Sequence, residues 1–315
     1  MALGEPEGAL QIAPVERAQR SSISADLALL AVAAVWGLTF TAVKRALDLA
    51  DPFSFLAVRF ALASIVLLLV FPRRVFRLNR RGIGLGVLIG GWLTAGYALQ
   101  TTGLVYTTAS KSAFITGLCV VLVPILSLAI SRVRPGPVSF AAVLLAAAGL
   151  YLLTSPTSDG VNLGDLLTLG CAVAFALHIV TTERVAPHQD PVALAFWQIV
   201  TTALICGLIA AAAPARRLPL TSWTVSALLI TGVLATAVAF LVQMWAQRRT
   251  SATHVAVIFA GEPLFAALFS WLIEHEVLGP AKLIGGALIV VGILVAQAGH
   301  RPTPVGGEDL VGEIT

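Results

Sequence analysis

Glu262, Arg59 and His178 are the side chains of this sequence whose types and surroundings could do chemistry, because each falls inside an apolar run. An ionisable group within hydrocarbon is costly unless it faces a cavity or a partner, so each is a candidate for holding charge or passing a proton. Glu262 lies at the middle of the ninth apolar run, just before Pro263. Proline cannot donate its backbone hydrogen bond, so it should kink the helix and free the carbonyl of Phe259. A carboxyl at that point could bind a proton or a substrate amine, or be a structural group hydrogen-bonded to a neighbouring helix. Arg59 could clamp a substrate carboxylate or pair across helices. His178, with Phe175 and Thr182 at helical spacing, could relay protons or pack as a satisfied core histidine. His254 and Lys44 read as interfacial groups, the lysine snorkelling to the headgroups.

Aromatic and amide residues extend this set. Trp36 and Trp92 fall at mid-membrane on the first and third runs, and Trp92, Gly96 and Gln100 share one helical face with Tyr97 beside it. They suggest an aromatic-lined cavity with some polar contacts; the alternative is helix packing around Gly90, Gly91 and Gly96. Gln243, on a face with Thr236, Phe240 and Gln247, and Trp197 on the seventh run are further lining candidates. Trp223, Trp245 and Trp271 lie at or near run ends and read as an interfacial belt. No GxSxG, HExxH or paired-Asp motif occurs in any run, which argues against an enzyme, and no P-loop or metal-ligand spacing implies a cofactor. Cys119, Cys171 and Cys206 fall in apolar runs without CxxC spacing and read as packing residues.

The elements that must position these groups follow from composition. Of 315 residues, 58% are hydrophobic and 11% charged, and the mean hydropathy is +0.92. The fold class is therefore an all-α integral membrane protein in a lipid bilayer. The net charge of +4 does not point to nucleic acid, since the arginines stand at run ends rather than on one basic face. Apolar runs predict ten transmembrane helices at 25–47, 53–71, 82–104, 109–131, 137–154, 163–186, 190–213, 222–247, 251–273 and 279–299. Residues 1–24 and 300–315 read as disordered cytoplasmic tails. With the N-terminus in the cytoplasm, 13 Lys and Arg residues fall inside and 6 outside, so both termini are expected to be cytoplasmic. In that topology Arg59, Tyr97 and Gln100 lie toward the outside, and His178, Trp197 and Gln243 toward the inside.

Sliding the chain by 139 residues superposes Asp26 on Asp165, Asp51-Pro52 on Asp190-Pro191, Arg59 on Gln198 and Pro124 on Pro263. A shift of 143 superposes Gly136-Pro137 on Gly279-Pro280 and Gly149 on Gly292. The chain thus divides into two repeats, 25–154 and 163–299, each of five helices. An odd number makes the second repeat enter the membrane the other way up, an inverted repeat of the kind that builds secondary transporters around a central site.

Several residues taken together resemble a known family. They are Trp36-Gly37 with Phe40 and Lys44, Asp51-Pro52 with Arg59, and Tyr106 to Lys111 leading to Pro124. Glu262-Pro263 follows, with Glu276 and Gly285-Gly286. This pattern resembles the EamA-type branch of the drug/metabolite transporter superfamily over about residues 25 to 299. The resemblance implies ten helices in two inverted repeats around a central cavity and export of small metabolites. The fourth helix is similar to that of bacterial exporters of amino acids, aromatic ones in particular. The first half has no acidic counterpart of Glu276.

Overall fold

The computed structural model describes residues 23–48, 50–132, 134–154, 160–212, 218–274 and 279–298. The tails lie outside the described residues except for Ile23 and Ser24, which open the first helix; Glu276 and the Lys44 side chain also lie outside. Ten membrane-length segments follow in order: α1 Ile23–Leu47, α2 Pro52–Val70, α3 Arg80–Tyr106, α4 109–131, α5 Pro137–Thr154, α6 Leu163–Val185, α7 Pro191–Ala212, α8 Ser222–Gln247, α9 252–274 and α10 Pro280–Ala298. Among the described residues, nine of these are long and apolar enough to cross a bilayer, and α1 concentrates its apolar residues in Ile23–Thr39.

Polar residues between the runs start these helices. Asp51 accepts the Ser54 N–H at 2.8 Å and precedes Pro52, whose fixed φ suits a first helical position. Asn79 caps α3 through the Gly82 N–H, Asn162 and Asp165 form a capping box on α6, and Thr221 caps α8. Thr108 caps α4 through Lys111 N–H, and Ser251 caps α9 through His254 N–H.

The two repeats pack as inverted copies. α5 lies against α10 and α2 against α7, each meeting its own counterpart, while α3 lies against α6 and α8 against α1. Because five helices separate equivalent ends, equivalent residues stand at opposite faces. The face where α1 begins is here the near face; it also holds the α2–α3, α4–α5, α6–α7 and α8–α9 connections. The opposite one is the far face.

Two spans are broken, one of them beside Pro263, where a kink is expected, and the other without such a signal. α4 divides at Leu118 into Ala109–Gly117 and Cys119–Leu126, followed by π-turns at Ser127–Ser131. α9 divides at Ala260 and Gly261 into Ala252–Phe259 and Glu262–Glu274. Pro263 explains the second break, since it cannot donate to the Phe259 carbonyl. The caps Thr108 and Ser251 stand 143 residues apart, as do Leu118 and Gly261, so this register relates α4 to α9. The expected equivalence of Pro124 with Pro263 therefore does not hold, and the position matching Glu262 is Cys119.

Close backbone approach fixes the α5–α10 contact. A Cβ on Gly149 would lie 2.6 Å from the Gly285 carbonyl oxygen, and one on Gly285 would lie 2.5 Å from the Leu153 nitrogen. Neither obstacle is a flexible side chain, so the helices must part to admit a methyl group. Gly285→Ala is expected to cost about 1–3 kcal/mol, the usual penalty of overpacking, read as a melting midpoint several degrees lower in detergent. An unchanged midpoint would mean that the two helices do not cross at these glycines.

Candidate functional site

Between the repeats lies a cavity of about 590 Å³. Its walls include Thr39 and Val43 of α1, Leu104 of α3, Leu153 and Thr154 of α5, and Lys282 of α10, all toward far-face ends. Toward the near face the lining stops at Ile179, Gln243 and Ala256, each about a turn or more inside its helix end, whereas toward the far face it reaches Thr154 and Lys282 at helix ends, so the cavity opens toward the far face. Both helix breaks line it, through Gly117, Cys119, Phe259, Ala260, Glu262 and Pro263. Discontinuous helices facing a central cavity present free backbone groups where a substrate can use them.

Arg59 is 3% exposed yet borders this cavity. Its Nε donates to Thr236 Oγ1 at 2.8 Å, and one terminal nitrogen reaches Tyr97 Oη at 3.4 Å and the Ala235 carbonyl at 3.5 Å. The guanidinium also lies 4.9 Å from the centre of the Tyr97 ring. All these partners are neutral, and among the described residues no carboxylate is ion-paired with Arg59; the structural ion pair considered from sequence does not form. Two of its acceptors, Thr236 and Ala235, belong to nine residues of π-helix in α8, Ile230–Val238. Wider turns of this kind recur at functional sites. Here they expose the Ala235 carbonyl to Arg59 and to Trp36, whose Nε1 donates to it at 2.8 Å.

Glu262 faces the cavity from the first turn of the second half of α9. Among the described residues its carboxylate makes no hydrogen bond or ion pair. Its backbone is held against α1 at Gly37, where a Cβ would lie 2.6 Å from the Glu262 carbonyl oxygen. The Glu262 carboxyl and the Arg59 guanidinium thus belong to different repeats and face one cavity within electrostatic reach of each other, without a direct ion pair.

Aromatic rings form the wall around these charges. Tyr97 meets Phe60, Phe175 and Phe240 edge-on, with centroids 5.1, 5.3 and 6.3 Å away, and Trp36 lies 4.9 Å from Phe259. Gln100 Nε2 donates to Thr116 Oγ1 at 3.2 Å, which ties α3 to α4. His178 lines the cavity and bonds Gln198 at 2.7 Å, the residue that occupies the repeat position of Arg59. Gln243 lines it too and donates to Gln247 at 2.9 Å.

Seven of the nine sequence candidates therefore meet at the cavity: Trp36, Arg59, Tyr97, Gln100, His178, Gln243 and Glu262. Trp92 and Trp197 do not. Trp92 is five residues from Tyr97, about 140° around the helix at 3.6 residues per turn, and its expected face with Gly96 is instead occupied by the Phe175 ring against Gly96. Trp197 points away from the centre and donates to the Val75 carbonyl at 3.1 Å.

Other expectations are also corrected. His254 is not interfacial; it is 1% exposed and its Nε2 lies 2.9 Å from Asp26 Oδ1 between α9 and α1. Lys111, counted as an outer-side charge, is buried with its Nζ 2.7 Å from Asp165 Oδ2. These pairs are equivalents in the two repeats. Cys119 lines the cavity rather than only filling space, and Lys282, in the first turn of α10, borders it. Thr236 and the Ala235 carbonyl were missed as Arg59 partners because nothing in the local sequence marks the π-turns.

Two inverted repeats enclosing a cavity open to one face, with an arginine and a glutamate on its wall, suit a membrane carrier of small molecules. The chain belongs to the EamA-like transporter family, whose pattern matches residues 23–155 and again 162–297. It is thus a multi-pass membrane protein of the drug/metabolite transporter superfamily. An uncharacterized transporter of Archaeoglobus fulgidus is 36% identical over 273 residues, covering 87% of this chain and 85% of that one. The threonine/homoserine exporter RhtA of Escherichia coli K12 is 29% identical over 244 residues, covering 74% and 78%. A solved crystal structure superposes with a TM-score of 0.75 at 21% identity, covering 88% of this chain and 98% of that one, and shows the fold alone.

Proposed function

We propose that the protein exports small zwitterionic metabolites, amino acids first among them, across the plasma membrane by alternating access. The observation that supports this most directly is a guanidinium and a carboxyl group from opposite repeats that face one cavity without a direct ion pair between them. A zwitterion supplies the missing partner to each. The carboxylate would meet Arg59, whose planar fork suits it, and the amine would meet Glu262. The rings of Trp36, Tyr97, Phe175, Phe240 and Phe259 would take an apolar or aromatic side chain. The amino-acid substrates named for RhtA agree with this class. With both termini cytoplasmic, the near face is the cytoplasmic one and this conformation faces outward.

Counterflow tests the reading. Protein reconstituted in liposomes preloaded with one unlabelled amino acid is expected to accumulate the same labelled compound transiently, with aromatic amino acids among the substrates. A quaternary amine in the same panel tests the second reading, export of drugs and quaternary amines, which the aromatic wall also accommodates. Counterflow of the amine with none of any amino acid would reject the zwitterion assignment.

A further inference from the structure

The near face is shut by contacts that converge on the last two turns of α6. Glu183 Oε1 accepts the Ala252 N–H at 2.9 Å, which joins α6 to the first turn of α9. One turn earlier, the Ile179 carbonyl accepts from Gln247 Nε2 of α8 at 3.1 Å. Next to Glu183, Arg184 donates to the Ile130 carbonyl at the end of α4 at 2.7 Å. Three helices are thereby drawn onto one helix end, over a buried apolar seal that includes Leu29, Val123, Ile179 and Val255.

The inverted repeat supplies an internal comparison, because every near-face tie has an equivalent position at the open far face. The Asp26–His254 pair has its equivalent in Asp165–Lys111, and both are formed in the same conformation. A contact present at the closed and the open face alike cannot be what distinguishes them. The α6 contacts behave differently. Glu183 corresponds to Lys44, which has no oxygen to accept a hydrogen bond, and Gln247 to Leu104, which has no amide to donate. Arg184 corresponds to Arg45, whose guanidinium instead lies 4.9 Å from the Trp223 ring centre.

We propose that Glu183 is the positioning residue that holds the cavity shut at the near face, by fixing the start of α9 on the end of α6. This rests on the alternating-access reading. A carboxylate suits the role, since the first N–H groups of a helix lack partners within it and carry the positive end of the helix dipole. Water can replace the carboxylate once that face opens, so the contact can be broken without leaving a buried amide unsatisfied.

Sidedness of the native Cys119, which lines the cavity, tests the proposal without measuring flux. The chain would carry Cys171→Ala and Cys206→Ala and be treated with a membrane-impermeant methanethiosulfonate, in right-side-out and inverted vesicles whose orientation is read from an N-terminal tag. The starting protein is expected to label from the far face. Glu183→Ala should raise near-face labelling by roughly tenfold or more, and Glu183→Gln, which keeps an acceptor oxygen, should stay near the starting level. Gln247→Leu, which installs the far-face residue, should shift labelling in the same direction as Glu183→Ala and decides the matter if the alanine variant fails to fold. Near-face labelling unchanged in a folded Glu183→Ala or in Gln247→Leu would overturn the assignment. Loss of amino-acid counterflow specificity with the labelling shift intact would count against the substrate reading and not against this one.

Discussion

Methionine in place of Arg59 is expected to lower the counterflow of carboxylate-bearing substrates by roughly 100-fold or more, with the fold retained. The estimate follows from the site's geometry. Truncating one partner of a desolvated, hydrogen-bonded charge pair costs about 2–5 kcal/mol, and each 1.4 kcal/mol is about tenfold in affinity. The fold should survive, because the groups that Arg59 touches have other anchors. Thr236 Oγ1 donates to the Thr231 carbonyl at 2.8 Å, the Ala235 carbonyl accepts from Trp36, and Tyr97 is held by three rings. Lysine is expected to rescue poorly, since a point charge on a flexible stem cannot reproduce the planar fork. The decisive control is the decarboxylated amine of a transported amino acid, whose binding should change little in Arg59→Met. Equal loss of both compounds would show that Arg59 shapes the cavity instead of reading a carboxylate.

Glu262→Gln carries the complementary expectation. The substitution preserves volume at a helix break where α1 and α9 are in backbone contact at Gly37, so a packing defect should be small. It removes the negative charge that faces the cavity, and counterflow of amino acids should again fall by roughly 100-fold on the same scale. A carboxylate analogue lacking the amine should be bound about as well by the variant as by the starting protein. The two variants therefore make opposite analogues insensitive, a crossed pattern that a general loss of stability cannot produce. A Glu262→Gln protein that exchanges amino acids at the original rate would remove the carboxylate from substrate recognition.

Much of this arrangement was legible in the sequence because membrane proteins obey local rules. The ten spans follow from apolar length against bilayer thickness, and their starts from side chains within three residues of the amides they cap, such as Asp51 and Asn162. Arg59, His178 and Glu262 stood out because charge is rare in hydrocarbon, and that rarity does not depend on knowing the neighbours. Trp92 and Trp197 show where the same reasoning fails. Mid-membrane depth can be read from position in a run, but the direction in which a ring points within a bundle cannot be read from a chain that is apolar on every side.

By itself, then, the sequence determined the number of helices, their caps, the inverted duplication and the small set of polar residues committed to the membrane. Tertiary structure decided which of those polar residues meet. Arg59 finds Thr236 at a separation of 177 residues and His254 finds Asp26 at 228, contacts set by the rotation and depth of whole helices against one another. It also decided where helices yield: the π-turns of α8 and the break at Leu118 have no local proline to announce them, and arise where two backbones and a cavity must be accommodated together. Which face is shut is likewise a property of packing, since the two repeats share a pattern of spans while their side chains differ at most positions, Glu183 against Lys44 among them.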